Sequence, residues 1–172
     1  YSTWDAGNYA LAEKKYAEEE ELYASLGESA SDPAQGSQAL AKAGDAVDEA
    51  ILRYNLVIDK GRQGIAVAKK QKSDDAKAQS DSIKASVAVK EDYAAALAIY
   101  EDGITALSKQ DYETASSKFE EAATAFDKVH ATAADKRAKA EAAMKAAEDA
   151  SAESLKKAQD ADTAVSGSNG TN

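Results

Sequence analysis

The side chains of this chain best able to do chemistry are one histidine, His130, and a large population of carboxylates, because the 172 residues include no cysteine. That absence removes disulfides, thiolate metal sites and cysteine nucleophiles together. A zinc site draws on two or more His or Cys ligands, so a lone imidazole reads as an ordinary surface or boundary residue. Phosphate-binding loops, dinucleotide fingerprints, the helical zinc-protease signature and the nucleophile elbow are all missing. A Ser-His-Asp triad around His130 lacks the strand-to-helix elbow and oxyanion hole it needs. The densest acidic run, Glu18 to Glu21, points in four directions on a helix and cannot converge on one ion, and a di-iron bundle needs histidines that the chain does not have. No enzyme activity, metal or cofactor is expected. Trp4 and the tyrosines read as packing residues, and the Asn169-Gly170-Thr171 sequon as coincidence.

With 31 acidic and 21 basic residues the formal net charge is -10, which repels a phosphate backbone and sets nucleic acid aside as a partner. One local exception is a stretch without an intervening acid: Lys60, Arg62, Lys69, Lys70 and Lys72, either a solvated helix face or a basic contact surface. Leu, Ile, Val and Phe together number only 24, a level at which disorder competes, but 41 alanines and a single proline favour helix throughout. Small side chains let helices approach closely, so alanine surfaces studded with Tyr, Leu and Phe can form a core. No run of 18 apolar residues is present, so no transmembrane segment is expected. A start at Tyr1 suggests an excised fragment, with a leader removed upstream remaining open.

The elements that must position these residues are helices, because apolar positions recur at spacings of three and four and nowhere alternate for long. The expected fold is all-α, built of antiparallel helical hairpins. The expected helices run from about Trp4 to Leu26, from about Gln38 to Lys60 or on past Gly61 and Gly64 to Ala78, from Ser82 to Lys109, from Tyr112 to Val129 and from Ala133 to Ala164. Gly27 to Gly36, which holds Pro33, reads as a loop. A single domain over 1–166 is expected, followed by a disordered tail or linker, GSNGTN, over 167–172.

The segment IYEDGITALSKQDYETASSKFEEAATAF places Gly103, Ala115, Phe119 and Ala122 at the mutual spacings of a tetratricopeptide repeat. Ala96 to Val129 thus resembles a TPR helix pair, with Gly103 and Ala115 as close-approach points and Phe119 as the wedge between them. Asp102, Ile99 and Asp127 depart from the family pattern. Tyr9, Ala12, Tyr16 and Tyr23 echo Tyr112, Ala115, Phe119 and Phe126 at a constant offset of 103, and Val47, Ala50, Tyr54 and Val57 repeat the spacing more faintly. The echo suggests a helix B whose helix A is mostly cut away. KASVAVKEDYAAALAIYEDG and KRAKAEAAMKAAEDASAESLKKA also resemble helical-repeat segments of spirochaete envelope proteins, which implies an extracytoplasmic place in the periplasm or cell envelope.

The expectation that follows is a non-enzymatic module, either a TPR-like array or an elongated bundle, that binds a protein or peptide, with oligomers allowed. In the TPR register Leu97, Tyr100, Ile104, Leu107 and Ser108 share one side of a helix and line its partner-binding groove. A covering helix around Met144 would close that groove and leave Lys60, Arg62, Lys69, Lys70 and Lys72 as the contact surface. The rival readings are a structural spacer between a membrane anchor and a cell-wall-binding domain, and an amphipathic lipid-binding protein, which the acidic balance opposes.

Overall fold

The computed structural model describes residues 1–28 and 33–168, with side-chain surroundings for 1–26 and 33–163. Among the described residues five helices follow one another: α1 (Ala6–Glu28), α2 (Pro33–Ser82), α3 (Ala85–Ala88), α4 (Lys90–Ser108) and α5 (Tyr112–Ser168). No strand occurs among the described residues, and the fold is all-α. The starts are chemically marked. Asp5 accepts the Asn8 amide at 3.0 Å and Asp111 accepts the Thr114 amide at 3.1 Å, each satisfying an orphan N–H at a helix N-terminus. Pro33 opens α2 at a position where its missing donor costs nothing.

Several expected boundaries are corrected. Of the loop expected over Gly27 to Gly36, Gly27 and Glu28 belong to α1 and Pro33 to Gly36 to α2, and 29–32 lie outside the described residues. Of the two courses expected for the second helix the longer is taken, and past Gly61 and Gly64 α2 continues without a break to Ser82. Each of those glycines gives up about 1 kcal/mol of helix propensity, and each seats an aromatic ring: a Cβ on Gly61 would run into Tyr1 and one on Gly64 into Trp4.

The helix expected from Ser82 is interrupted, because Lys84 takes a left-handed φ of 58° and Val89 a kinked one of -138°, which sets α3 apart from α4. The two helices expected over 112–129 and 133–164 are one, since His130 to Thr132 contain neither glycine nor proline to break the alanine-rich run. Gly167 and Ser168, assigned to the tail, belong to α5, and 169–172 lie outside the described residues.

The α4–α5 turn is tight. Gln110 sits at φ 60°, its amide reaches the Leu107 carbonyl at 3.0 Å, and the Asp111 amide reaches that of Ala106 at 3.0 Å. Those two bonds close a Schellman motif with glutamine where glycine is usual.

Packing gives each half of α2 a different set of neighbours. Along its first half α1 lies antiparallel, tied by Arg53 to Asn8 at 2.9 Å and by Lys15 to Glu49 at 3.4 Å. Along its second half α4 runs antiparallel and α5 parallel, so α2, α4 and α5 close a three-helix bundle. Tyr1, ahead of α1, and Tyr112, at the start of α5, both border Arg62 near the middle of α2. From there α1 and α5 run in opposite directions. The bundle core is built from Ala66, Ala76, Ala85, Val89, Ala96, Ala106 and Ala115 around Phe119, Ala122, Phe126, Val129 and Ala133. Beyond Ala134, every residue of α5 from Asp135 to Thr163 is exposed.

Candidate functional site

The closed bundle is two layers of the same design, seven residues apart on every helix. In one, Phe119 is enclosed against Gly103 and the Tyr100 ring, whose centroid lies 5.7 Å away. In the other, Phe126 is enclosed with Tyr93 at 5.6 Å, and both phenylalanines are 0% exposed. From α2, Asp74 accepts the Tyr100 hydroxyl and Asp81 the Tyr93 hydroxyl, both at 2.6 Å, and Lys70 and Lys77 pair with the same aspartates at 2.8 and 2.7 Å. The ammonium groups of Lys70 and Lys77 also stand over the Tyr100 and Tyr93 rings, at 5.6 and 5.9 Å.

Burial pushes the Asp74 and Asp81 carboxyls upward, but hydrogen bonds from lysine and tyrosine outweigh it and hold both below the ordinary carboxylate range. Burial, together with the aspartate acceptors, raises the Tyr93 and Tyr100 phenols. These are packing and locking interactions.

The hairpin of α1 and the first half of α2 is that bundle with one helix missing. Ala12 and Ala115, 103 residues apart, are both 0% exposed. The Lys118–Asp102 pair between α5 and α4, at 3.9 Å, has its counterpart in Lys15–Glu49. On that correspondence α1 stands for the start of α5, and the first half of α2 stands for α4 with an offset of 53. Buried Ala43 and Ala50 match buried Ala96 and Gly103, while Leu40, Val47 and Tyr54 match Tyr93, Tyr100 and Leu107.

What differs is the third helix. Ser116, Glu120 and Ala123 of α5 face the second half of α2, where Glu120 pairs with Lys69 and Ala123 is buried. Their counterparts Glu13, Ala17 and Glu20 are exposed. Consequently Tyr16 and Tyr23, in the places of Phe119 and Phe126, remain 53% and 47% exposed.

On that correspondence the counterpart of the enclosed core is an open aromatic seam, with Tyr9, Tyr16 and Tyr23 on α1 and Leu40, Val47 and Tyr54 on α2. Tyr9 and Tyr54 meet edge to face at 6.2 Å. The Tyr54 hydroxyl donates to Glu13 at 2.7 Å, and that carboxylate pushes the phenol up to about 12. Glu13 and Glu20 border the seam. Three cations of the hairpin, Lys15, Lys42 and Arg53, lie on its far side or inner face with Glu18 and Glu49, and Lys14 is exposed on α1.

The groove expected on α4 is divided. Leu97, Tyr100 and Leu107 are partly buried in the bundle core, Tyr100 under α2, while Ile104 and Ser108 are exposed. Met144 is far from them and 64% exposed. In the basic stretch, Lys69 pairs with Glu120 and Lys70 with Asp74, whereas Lys60, Arg62 and Lys72 are exposed along α2. His130 is half-buried on α5. No cluster of three His, Cys, Asp or Glu arranged for a metal, and no helix long and apolar enough to cross a membrane, occurs among the described residues.

No protein-family model, curated protein or solved structure matches this chain. The seam residues Tyr16, Tyr23 and Leu40 were not singled out as a binding surface from the sequence. For Tyr16 and Tyr23 the signal was there in the echo at offset 103, which marks them as core-type positions; Leu40 stands outside that echo.

Proposed function

We propose that this chain is a non-enzymatic helical module that binds a protein partner, and that the partner is held as a helix along the Tyr9–Tyr16–Tyr23 seam. One observation carries the reading: Phe119 and Phe126 are fully covered by a third helix, and Tyr16 and Tyr23, in the corresponding places, are bare. Rings set seven residues apart along a groove of this kind suit the knobs of an incoming helix. Tyrosine also tolerates exposure better than phenylalanine, because its hydroxyl is hydrated until a partner arrives.

The acidic border favours a helix with cationic flanks. The test uses a helix-stapled peptide of residues 62–83, the segment that fills the third position in the closed bundle. It should bind the intact chain saturably, and Tyr16→Lys should abolish binding without changing the melting temperature. Equal binding by wild type and Tyr16→Lys would defeat the reading.

A further inference from the structure

The helix that fills the third position, α2, presents Ala66, Ser73, Ala76 and Ser80 to the bundle, all buried. The outer half of α5 carries the same pattern: Ala140, Ala147, Ala150 and Ser154, at a constant offset of 74. The likeness extends beyond the stripe, since AVAKKQKSDDAKAQS of 66–80 aligns without gaps with AEAAMKAAEDASAES of 140–154. Asp74, Asp75 and Ala78 of the first segment face Glu148, Asp149 and Ala152 of the second. Yet 66–80 is packed and 140–154 is wholly exposed. One chain therefore contains a vacant third-helix position and an unpartnered segment that resembles the helix filling the occupied one.

The two cannot meet within a molecule. α5 is unbroken from Tyr112 to Ser168, and from the middle of α2 it runs away from α1. A second copy has no such restriction. Resting on the seam reading above, we infer that residues 140–154 of one copy dock on the Tyr9–Tyr16–Tyr23 seam of another, taking there the place that 66–80 takes in the closed bundle. The 15 residues span roughly 22 Å of helix, against about 21 Å from Tyr9 to Tyr23.

The sense of the contact closes it. In the bundle the third helix is parallel to α5, so the docked segment is parallel to α1. Since α1 and α5 run oppositely within each copy, two copies lying antiparallel satisfy both seams at once, a two-fold dimer in which each supplies the other's missing helix. Of the charges on one flank of the Ala140–Ala147–Ser154 stripe, Lys157 is paired with Glu153 at 2.8 Å, which leaves Lys139 to face a seam bordered by Glu13 and Glu20.

The test is sedimentation equilibrium on the full chain with variants at positions already exposed in the protomer. Wild type should run as a dimer. Ala147→Glu and Tyr16→Glu should each raise the dimer dissociation constant at least about tenfold, as loss of a central contact does. Both should keep the wild-type melting profile as isolated subunits. A double variant, Ala17→Cys with Ala143→Cys, places thiols where Glu120 and Lys69 meet in the bundle, in a chain otherwise free of cysteine, and should oxidise to a covalent dimer. A monomeric wild type overturns the inference, as does a dimer that survives both glutamates. If the chain is monomeric while the 62–83 peptide still binds through Tyr16, the seam stands and its occupant is another protein. Failure of both experiments removes the seam reading itself.

Discussion

The Ser80 hydroxyl of α2 donates to the Phe126 carbonyl of α5 at 2.9 Å, while Ser73, one heptad earlier and equally enclosed at 0% exposure, has no acceptor for its hydroxyl. Burying an unpaired hydroxyl costs about 1–3 kcal/mol, and a satisfied one contributes about 1. Ser80→Ala should therefore lower stability by about 1 kcal/mol, whereas Ser73→Ala leaves it unchanged or raises it. Urea denaturation of the two variants in parallel checks the difference in sign, and equal losses would show that Ser73 has found a partner in solution.

Gly103 marks the closest approach of α4 to α5. A Cβ there would stand 2.9 Å from Cδ1 and Cε1 of Phe119 and 3.3 Å from the Lys118 Cβ. Since Phe119 is fully enclosed, its ring has nowhere to go. Alanine would gain about 1 kcal/mol of helix propensity, but overpacking costs about 1–3 kcal/mol, so Gly103→Ala should be net destabilising and Gly103→Val more so. A thermal melt that rises for Gly103→Ala would contradict this packing.

Gly64 makes the opposite case, because the Trp4 ring above it is half exposed and can swing away. Gly64→Ala should leave overall stability level or higher by up to about 1 kcal/mol. The displaced indole, the only tryptophan in the chain, should show red-shifted fluorescence. An unchanged emission maximum would mean that Trp4 does not rest on Gly64.

The lysine–aspartate–tyrosine locks set a pH window. Asp74 and Asp81 titrate below their unfolded value, so their contribution is full above about pH 4 and fades as pH falls through the lower folded values. Tyr93 and Tyr100 titrate above theirs, so their contribution is full below about pH 10 and fades as pH rises through the raised values. Both lysines are raised in the same network, chiefly by the aspartates, and stay charged across the window. Denaturation midpoints followed against pH should fall at both ends, and Asp74→Asn should flatten the acid limb. A wild-type acid limb that persists in the Asp74→Asn, Asp81→Asn double variant would place the sensitivity elsewhere.

Much of the fold was legible in residue order. Alanine content, the lack of interior proline and the three-and-four spacing specify helices by local energetics alone. Gly103 as a close-approach point and Phe119 as the wedge could be named from the repeat-like spacing of 99–126, and a Cβ on Gly103 would indeed meet that ring. Helix ends were less legible: Gly61 and Gly64 look like a break until the rings of Tyr1 and Trp4 are seen resting on them, and Lys84 and Gln110 adopt left-handed φ despite carrying side chains. In those places tertiary contacts override propensity.

The sequence by itself determined that Tyr9, Tyr16 and Tyr23 share a face and that they echo Tyr112, Phe119 and Phe126, because periodicity is a property of one helix. Whether such a face is covered depends on which helix lies across it, and that is decided by non-local packing. Only the tertiary structure shows α2 spending its second half on Phe119 and Phe126 and leaving Tyr16 and Tyr23 open, because α1 and α5 diverge from its middle and one helix cannot occupy both seams.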